Sequence, residues 1–113
     1  MEKRFVSGSE KETINFAANL AKNFKGGEAV LLYGDLGAGK TRFAKGLAKG
    51  LEISDTVISP TFTIMNVYGG RLTLYHFDMY RIQSESELYE IGYFEAIGDK
   101  SAVTVIEWPQ NIA

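Results

Sequence analysis

The sequence predicts an α/β fold of three layers, with a mixed sheet that is parallel at its centre and carries an antiparallel hairpin at its flank. Three features point there. Glu28-Ala29-Val30-Leu31-Leu32-Tyr33 is an apolar run of strand length, and Phe43, Ala44, Leu47 and Leu51 recur after it at helical spacing. Between the two lies Gly34-Asp35-Leu36-Gly37-Ala38-Gly39-Lys40-Thr41, a complete match to the phosphate-loop pattern G-x-x-x-x-G-K-[ST]. Further on, the runs 63–68 and 71–77, rich in β-branched and aromatic residues, are joined by Gly69-Gly70. That connection reads as a tight hairpin, because both glycines accept positive φ. A purely parallel sheet has no hairpins, so the arrangement is P-loop NTPase-like with a mixed sheet.

The elements follow in order. Ser9-Glu10-Lys11-Glu12 is a capping box in which hydroxyl and carboxylate satisfy the free N–H groups of a helix start. Ile14, Ala17, Ala18, Ala21 and Phe24 then form one apolar stripe and Gly26 suits the stop, which places the first helix over about 9–25. The strand 28–33, the glycine loop and the helix after it come next. Thr56 to Ile58 reads as a short strand leading into Ser59-Pro60-Thr61-Phe62, and the hairpin follows. A second capping box, Ser84-Glu85-Ser86-Glu87, opens a helix carrying Leu88 and Ile91. A short helical piece covers 93–97, and Ala102-Val103-Thr104-Val105-Ile106-Glu107 is an apolar strand ending in a carboxylate.

At 113 residues the chain is read as one domain, residues 1–113, with no repeat, linker or low-complexity tract. A hydrophobic fraction of 45% and a charged fraction of 23% are ordinary for a water-soluble globular protein. The net charge of -2 argues against a broad basic footprint, so strong direct nucleic-acid binding is not expected. Without cysteine there is no disulfide framework or thiolate zinc site, and a single histidine, His76, excludes a His-based metal cluster. No apolar stretch reaches membrane-spanning length and the N-terminus lacks a signal-peptide apolar region; a cytoplasmic address follows by default.

The loop residues have distinct physical tasks. Gly34, Gly37 and Gly39 bring the backbone against phosphate oxygens where a Cβ would collide, and a following helix aims the positive end of its dipole at the same anion. Lys40 is placed to meet the β- and γ-phosphates and the Thr41 hydroxyl to ligate Mg²⁺. The nucleotide-binding candidates are therefore Gly34, Asp35, Leu36, Gly37, Ala38, Gly39, Lys40, Thr41 and the adjoining Arg42, with ATP and Mg²⁺ as the expected ligands. Such a loop works with a carboxylate at the end of a neighbouring buried strand. Glu107 ends a nearly continuous apolar run of the kind buried on both faces, whereas Asp78 ends the more alternating Leu72-Thr73-Leu74-Tyr75-His76-Phe77. Glu107 is favoured as the metal-side carboxylate and Asp78 as a second polar group orienting water or a sensing loop. Alternation places His76 and Asp78 on one face, where they can act together; a lone strand histidine is most often structural, and His76 receives no catalytic role. Thr61, between the loop helix and the next strand, stands where nucleotide switches place a hydroxyl that reports the γ-phosphate, or in an ordinary proline-stiffened turn.

Taken in order, Gly34 to Thr41, Ser59-Pro60-Thr61-Phe62, His76-Phe77-Asp78-Met79-Tyr80-Arg81 and Ile106-Glu107-Trp108-Pro109 resemble the motifs of the bacterial tRNA threonylcarbamoyladenosine biosynthesis ATPase, the TsaE (YjeE) family. The resemblance covers nearly the whole chain. It implies a Mg²⁺-dependent ATPase, weak alone, that works with partners of the TsaD and TsaB types to sustain threonylcarbamoylation of the adenosine beside the tRNA anticodon. It implies that Lys40 and Thr41 contact nucleotide and Mg²⁺, that Thr61 is switch-like, and that Asp78 and Glu107 are the acidic residues of hydrolysis; Trp108 belongs to the same pattern. Family chains usually continue a few tens of residues past the Glu-Trp-Pro motif, whereas this sequence stops at Ala113, so a missing C-terminal segment and an uncovered sheet edge are expected.

Two other functions use the same loop. A small-molecule phosphotransferase would need an acceptor-binding lid, and no lid-sized, Arg-rich insertion is visible. A nucleotide-switched interaction module would depend on its bound state rather than on turnover.

Overall fold

A computed structural model describes residues 10–32, 37–58, 60 and 64–108; for residues 10–11 and 37–40 the backbone alone is described. The elements are α1 (Glu10–Lys22), β1 (Ala29–Leu32), α2 (Gly37–Gly50), β2 (Met65–Tyr68), β3 (Thr73–Asp78), α3 (Glu85–Glu90), α4 (Tyr93–Ile97) and β4 (Ala102–Glu107). They form one four-stranded sheet in the order β1-β4-β3-β2. β4 pairs in parallel with both β1 and β3, and β2 runs antiparallel to β3, so the mixed sheet is as expected. The last strand in sequence lies between the first and third, which explains why all six of its residues are buried.

Pleating divides the side chains between two layers. Leu74, Val103 and Val105 face α1 and α2, where Ala17, Ala21, Ala44 and Leu47 complete one core. Phe77 and Ile106 face the other way and pack with Leu88 of α3, Ala96 of α4 and Met79. Helices α1 and α2 approach closely because α2 carries Gly46 and Gly50 one turn apart on its contact side. A Cβ on Gly46 would lie 2.5 Å from the Ile14 carbonyl oxygen, and one on Gly50 would lie 2.6 Å from the Ala21 Cβ.

Four local expectations are corrected. The connection between β2 and β3 is not a two-residue turn: pairing stops at Tyr68 and Leu74, and neither Gly69 nor Gly70 takes positive φ. Gly70 is required for a different reason, since a Cβ there would stand 2.5 Å from the Leu51 carbonyl oxygen. Residues 56–58 form no strand; Ile58 is tied to β2 by side chains, its N–H donating to the Tyr68 hydroxyl at 3.2 Å and its carbonyl accepting from Asn66 Nδ2 at 3.3 Å. Helix α1 ends at Lys22 rather than near Lys25, because the chain tightens into i→i−3 bonds at Asn23 and Phe24. The Arg71 guanidinium, 2.9 Å from the carbonyl oxygens of both Ala21 and Phe24, then caps that end. At α3, Ser84 is the N-cap residue but its hydroxyl makes no backbone cap; Glu87 alone reaches back, accepting from the Gln83 N–H at 3.2 Å. Ser9, of the first capping box, lies outside the described residues.

Candidate nucleotide site

The parallel strands β1, β4 and β3 end together. Leu32 is in register with Glu107, and Glu107 with Asp78, so the end of β1 and the two carboxylates form one row across the sheet. At two strand spacings the row is roughly 10 Å wide. The segment that leaves β1 carries the glycine-rich motif, and Gly37 of that motif already opens α2. The end of β1 therefore lies in the row, at the carboxyl ends of parallel strands where open α/β sheets take their ligands, and the chain is next described at the N-terminus of α2.

Side-chain direction completes the arrangement. Asp78 and Glu107 share their pleat face with His76 and Val105, the face covered by α1 and α2. Thr41 is half-buried one turn before Ala44, on the side of α2 that meets this face. Arg42 stands one turn before Gly46, on the side that meets α1. Residues 34–36 lie outside the described residues, and for Gly37, Ala38, Gly39 and Lys40 the helical backbone is described.

Both carboxylates are buried, Asp78 at 7% exposure and Glu107 at 3%. Asp78 Oδ1 accepts the Tyr80 N–H at 3.0 Å, an Asx turn that holds the chain as it leaves β3. Glu107 Oε2 lies 2.6 Å from His76 Nε2, a short contact between two buried side chains. The expected association of His76 with Asp78 is thus replaced by one with Glu107. Because β3 and β4 are neighbours, the imidazole reaches diagonally across the pair to a residue on the next strand. No spacing in the sequence announced this contact, since it depends on which strand inserts beside β3.

Thr61 lies outside the described residues; Pro60 and Ile64, which are described, are both held by backbone hydrogen bonds. Pro60 is buried, its carbonyl accepts the Ile64 N–H at 2.7 Å, and the Ile64 carbonyl accepts the Asp78 N–H at 2.8 Å. Ile64 and Trp108 both have positive φ, +68° and +58°, a strained conformation for side chains of their size. The rings of Trp108 and Tyr80 pack at a tilt of 56° with centroids 4.9 Å apart and join the exits of β4 and β3.

The donor set fits a nucleotide-bound divalent cation better than a cation held by protein alone. Among the described residues no group of three or more His, Asp or Glu is placed to hold a metal. Mg²⁺ in nucleotide sites takes most of its ligands from phosphates and water and only one or two from protein, so a hydroxyl and a carboxylate suffice.

Comparisons with known proteins show the family and the fold. The family model described as "Threonylcarbamoyl adenosine biosynthesis protein TsaE" matches residues 7–113. The chain belongs to the TsaE family. It is 44% identical over 110 residues to the tRNA threonylcarbamoyladenosine biosynthesis protein TsaE of Treponema pallidum (strain Nichols), covering 97% of this chain and 81% of the relative. With the TsaE protein of Nostoc sp. it shares 41% identity, over 99% of this chain and 70% of the relative. The crystal structure of Bacillus subtilus YdiB superimposes with a TM-score of 0.72 at 38% identity, covering 94% of this chain. The chain spans 64% of that structure's length. No helix among the described residues of this TsaE-family chain is long and apolar enough to cross a membrane.

Proposed function

We propose that this chain is a cytoplasmic Mg²⁺-dependent ATP-binding protein and ATPase that supports threonylcarbamoylation of the tRNA adenosine beside the anticodon, together with partners of the TsaD and TsaB types. The observation that carries the reading is the row Leu32, Glu107, Asp78, which sets two buried carboxylates beside the strand end that opens the phosphate-loop motif.

The roles follow from chemistry and position. The backbone N–H groups of residues 34–41 and the N-terminus of α2 would hold the phosphates, with Lys40 as point charge. Thr41 and Glu107 would hold Mg²⁺, which when bound neutralises charge on the β- and γ-phosphates. Asp78, fixed by its Asx turn, would orient the attacking water, and Thr61 would report the γ-phosphate to the segment anchored at Pro60 and Ile64. Calorimetric titration of ATP into the full chain and into Lys40→Ala tests the reading. The variant is expected to bind ATP at least tenfold more weakly at unchanged fold, since a desolvated phosphate loses its nearest charge. Equal affinity would remove the central claim.

A further inference from the structure

We propose that His76 is a positioning residue for Glu107: its Nε2–H holds one carboxylate oxygen and so sets the direction in which the carboxylate faces the nucleotide-bound cation. The inference rests on Glu107 being the metal-side carboxylate.

The contact is 2.6 Å long, with the two side chains 0% and 5% exposed. A carboxylate accepts, so the imidazole hydrogen is on Nε2, and a short bond to a charged acceptor out of water is among the stronger hydrogen bonds a protein makes. Among the described residues His76 is the sole hydrogen-bond partner of the Glu107 carboxylate. A glutamate has three side-chain torsions, and burial alone leaves its terminal torsion broad. One fixed donor, mounted on the neighbouring strand, removes that freedom.

The other ring nitrogen argues against a purely structural histidine. Nδ1 is buried and has no hydrogen-bond partner among the described residues. A residue kept only to fill the core would be better as an apolar side chain, because an unsatisfied buried nitrogen is a cost that Leu or Phe would not carry. The geometry accounts for one nitrogen through Glu107 and leaves the other in deficit, so what the site retains is the Nε2 donor. The arrangement reverses the common metal-site pattern, in which an outer carboxylate orients an inner histidine.

Two variants separate donor position from ring shape. Gln at 76 can place an amide N–H where Nε2–H stood, whereas the shorter Asn places one near Nδ1. Phosphate release by the full chain with its partner proteins, and the Mg²⁺ dependence of ATP binding by calorimetry, are measured for wild type, His76→Gln, His76→Asn, Glu107→Gln and the double variant His76→Asn/Glu107→Gln. His76→Asn is expected to lower turnover about 10- to 100-fold and to raise the Mg²⁺ needed for half-maximal ATP binding, with metal-free ATP binding unchanged. His76→Gln should stay within about threefold of wild type, and His76→Asn should cost under about twofold in the Glu107→Gln background, because its effect passes through the carboxylate. Proton–nitrogen NMR of the metal-free wild type should show a protonated Nε2, a readout that needs no variant, and its downfield proton should move upfield in folded Glu107→Gln. Equal loss in the two His76 variants, independent multiplication of the His76→Asn and Glu107→Gln effects, or a protonated Nδ1 would overturn the positioning role. Wild-type turnover and Mg²⁺ dependence in Glu107→Gln would instead overturn the reading of Glu107 itself.

Discussion

A carboxylate is an acceptor, and the consequence depends on which donors surround it. Glu28 precedes β1, and its two oxygens each accept a backbone N–H at 2.8 Å, from Lys25 and Gly26. Burial pushes its carboxyl up, but these N–H groups and the charge of Arg71 outweigh that and hold it below the usual carboxylate range. A carboxyl depressed in the folded state stabilises above its unfolded value and loses that contribution as pH falls through the folded one. Glu28→Gln is therefore expected to be less stable at pH 7 by about 0.5–1 kcal/mol, a modest figure for a largely solvated group. The gap should close in thermal melts as pH drops below about 4, and a constant gap would contradict the assignment. At the site, Glu107→Gln and Asp78→Asn should each lower ATP turnover with the fold retained, because shape is kept and charge removed. Raised Mg²⁺ should partly rescue the first; rescue of Asp78→Asn alone would show that the two roles are exchanged.

Elements are held by what lies at their contacts and ends. α1 and α2 meet through small residues, with Gly50 against Ala18 and Ala21, and Gly46 against Ile14 and Ala17. In an exposed helix, Gly to Ala is stabilising by roughly 1 kcal/mol. Here a Cβ on Gly50 would press within 2.6 Å of the Ala21 Cβ, so overpacking wins. Gly50→Ala is expected to destabilise by about 1–3 kcal/mol, measured by denaturant unfolding. An increase in stability would show that the helices separate at little cost. Since α2 carries Thr41, the same substitution would shift the helix that starts at the proposed nucleotide site.

For the whole molecule, hydrolysis depends on positive charge over the γ-phosphate, and a supplied arginine is worth about 10³ to 10⁵ in rate. Arg42 lies on the α1 side of α2, and Arg81 is exposed three residues past Asp78. The proposed site would hold phosphates, cation and water better than it would complete the transition state. The isolated chain is expected to bind ATP yet hydrolyse it at well under about one turnover per second, with partners of the TsaD and TsaB types raising the rate. Steady-state phosphate release with and without them decides; fast turnover unchanged by their addition would favour a self-sufficient enzyme. At the sheet edge, β1 leaves Leu31 48% exposed, next to the strand end on which the site is built.

What the residues determined alone is local. Apolar spacing sufficed for α1 and α2, and an apolar run of strand length for β1 and β4, because burial on one face or two leaves a pattern that needs no knowledge of the partner. The phosphate-loop motif and the terminal carboxylates of β3 and β4 were legible for the same reason: each is a chemical type at the end of a periodic run. The tertiary structure decided what requires two distant segments to meet. Insertion of β4 between β1 and β3 made Leu32, Glu107 and Asp78 one row and turned His76 toward Glu107. Gly69-Gly70 misled because glycine is permissive in two ways, and only the packing of Gly70 against Leu51 showed that close approach, rather than positive φ, was the requirement. Strand order is set by summed burial over the whole sheet, a quantity that no short stretch of sequence contains.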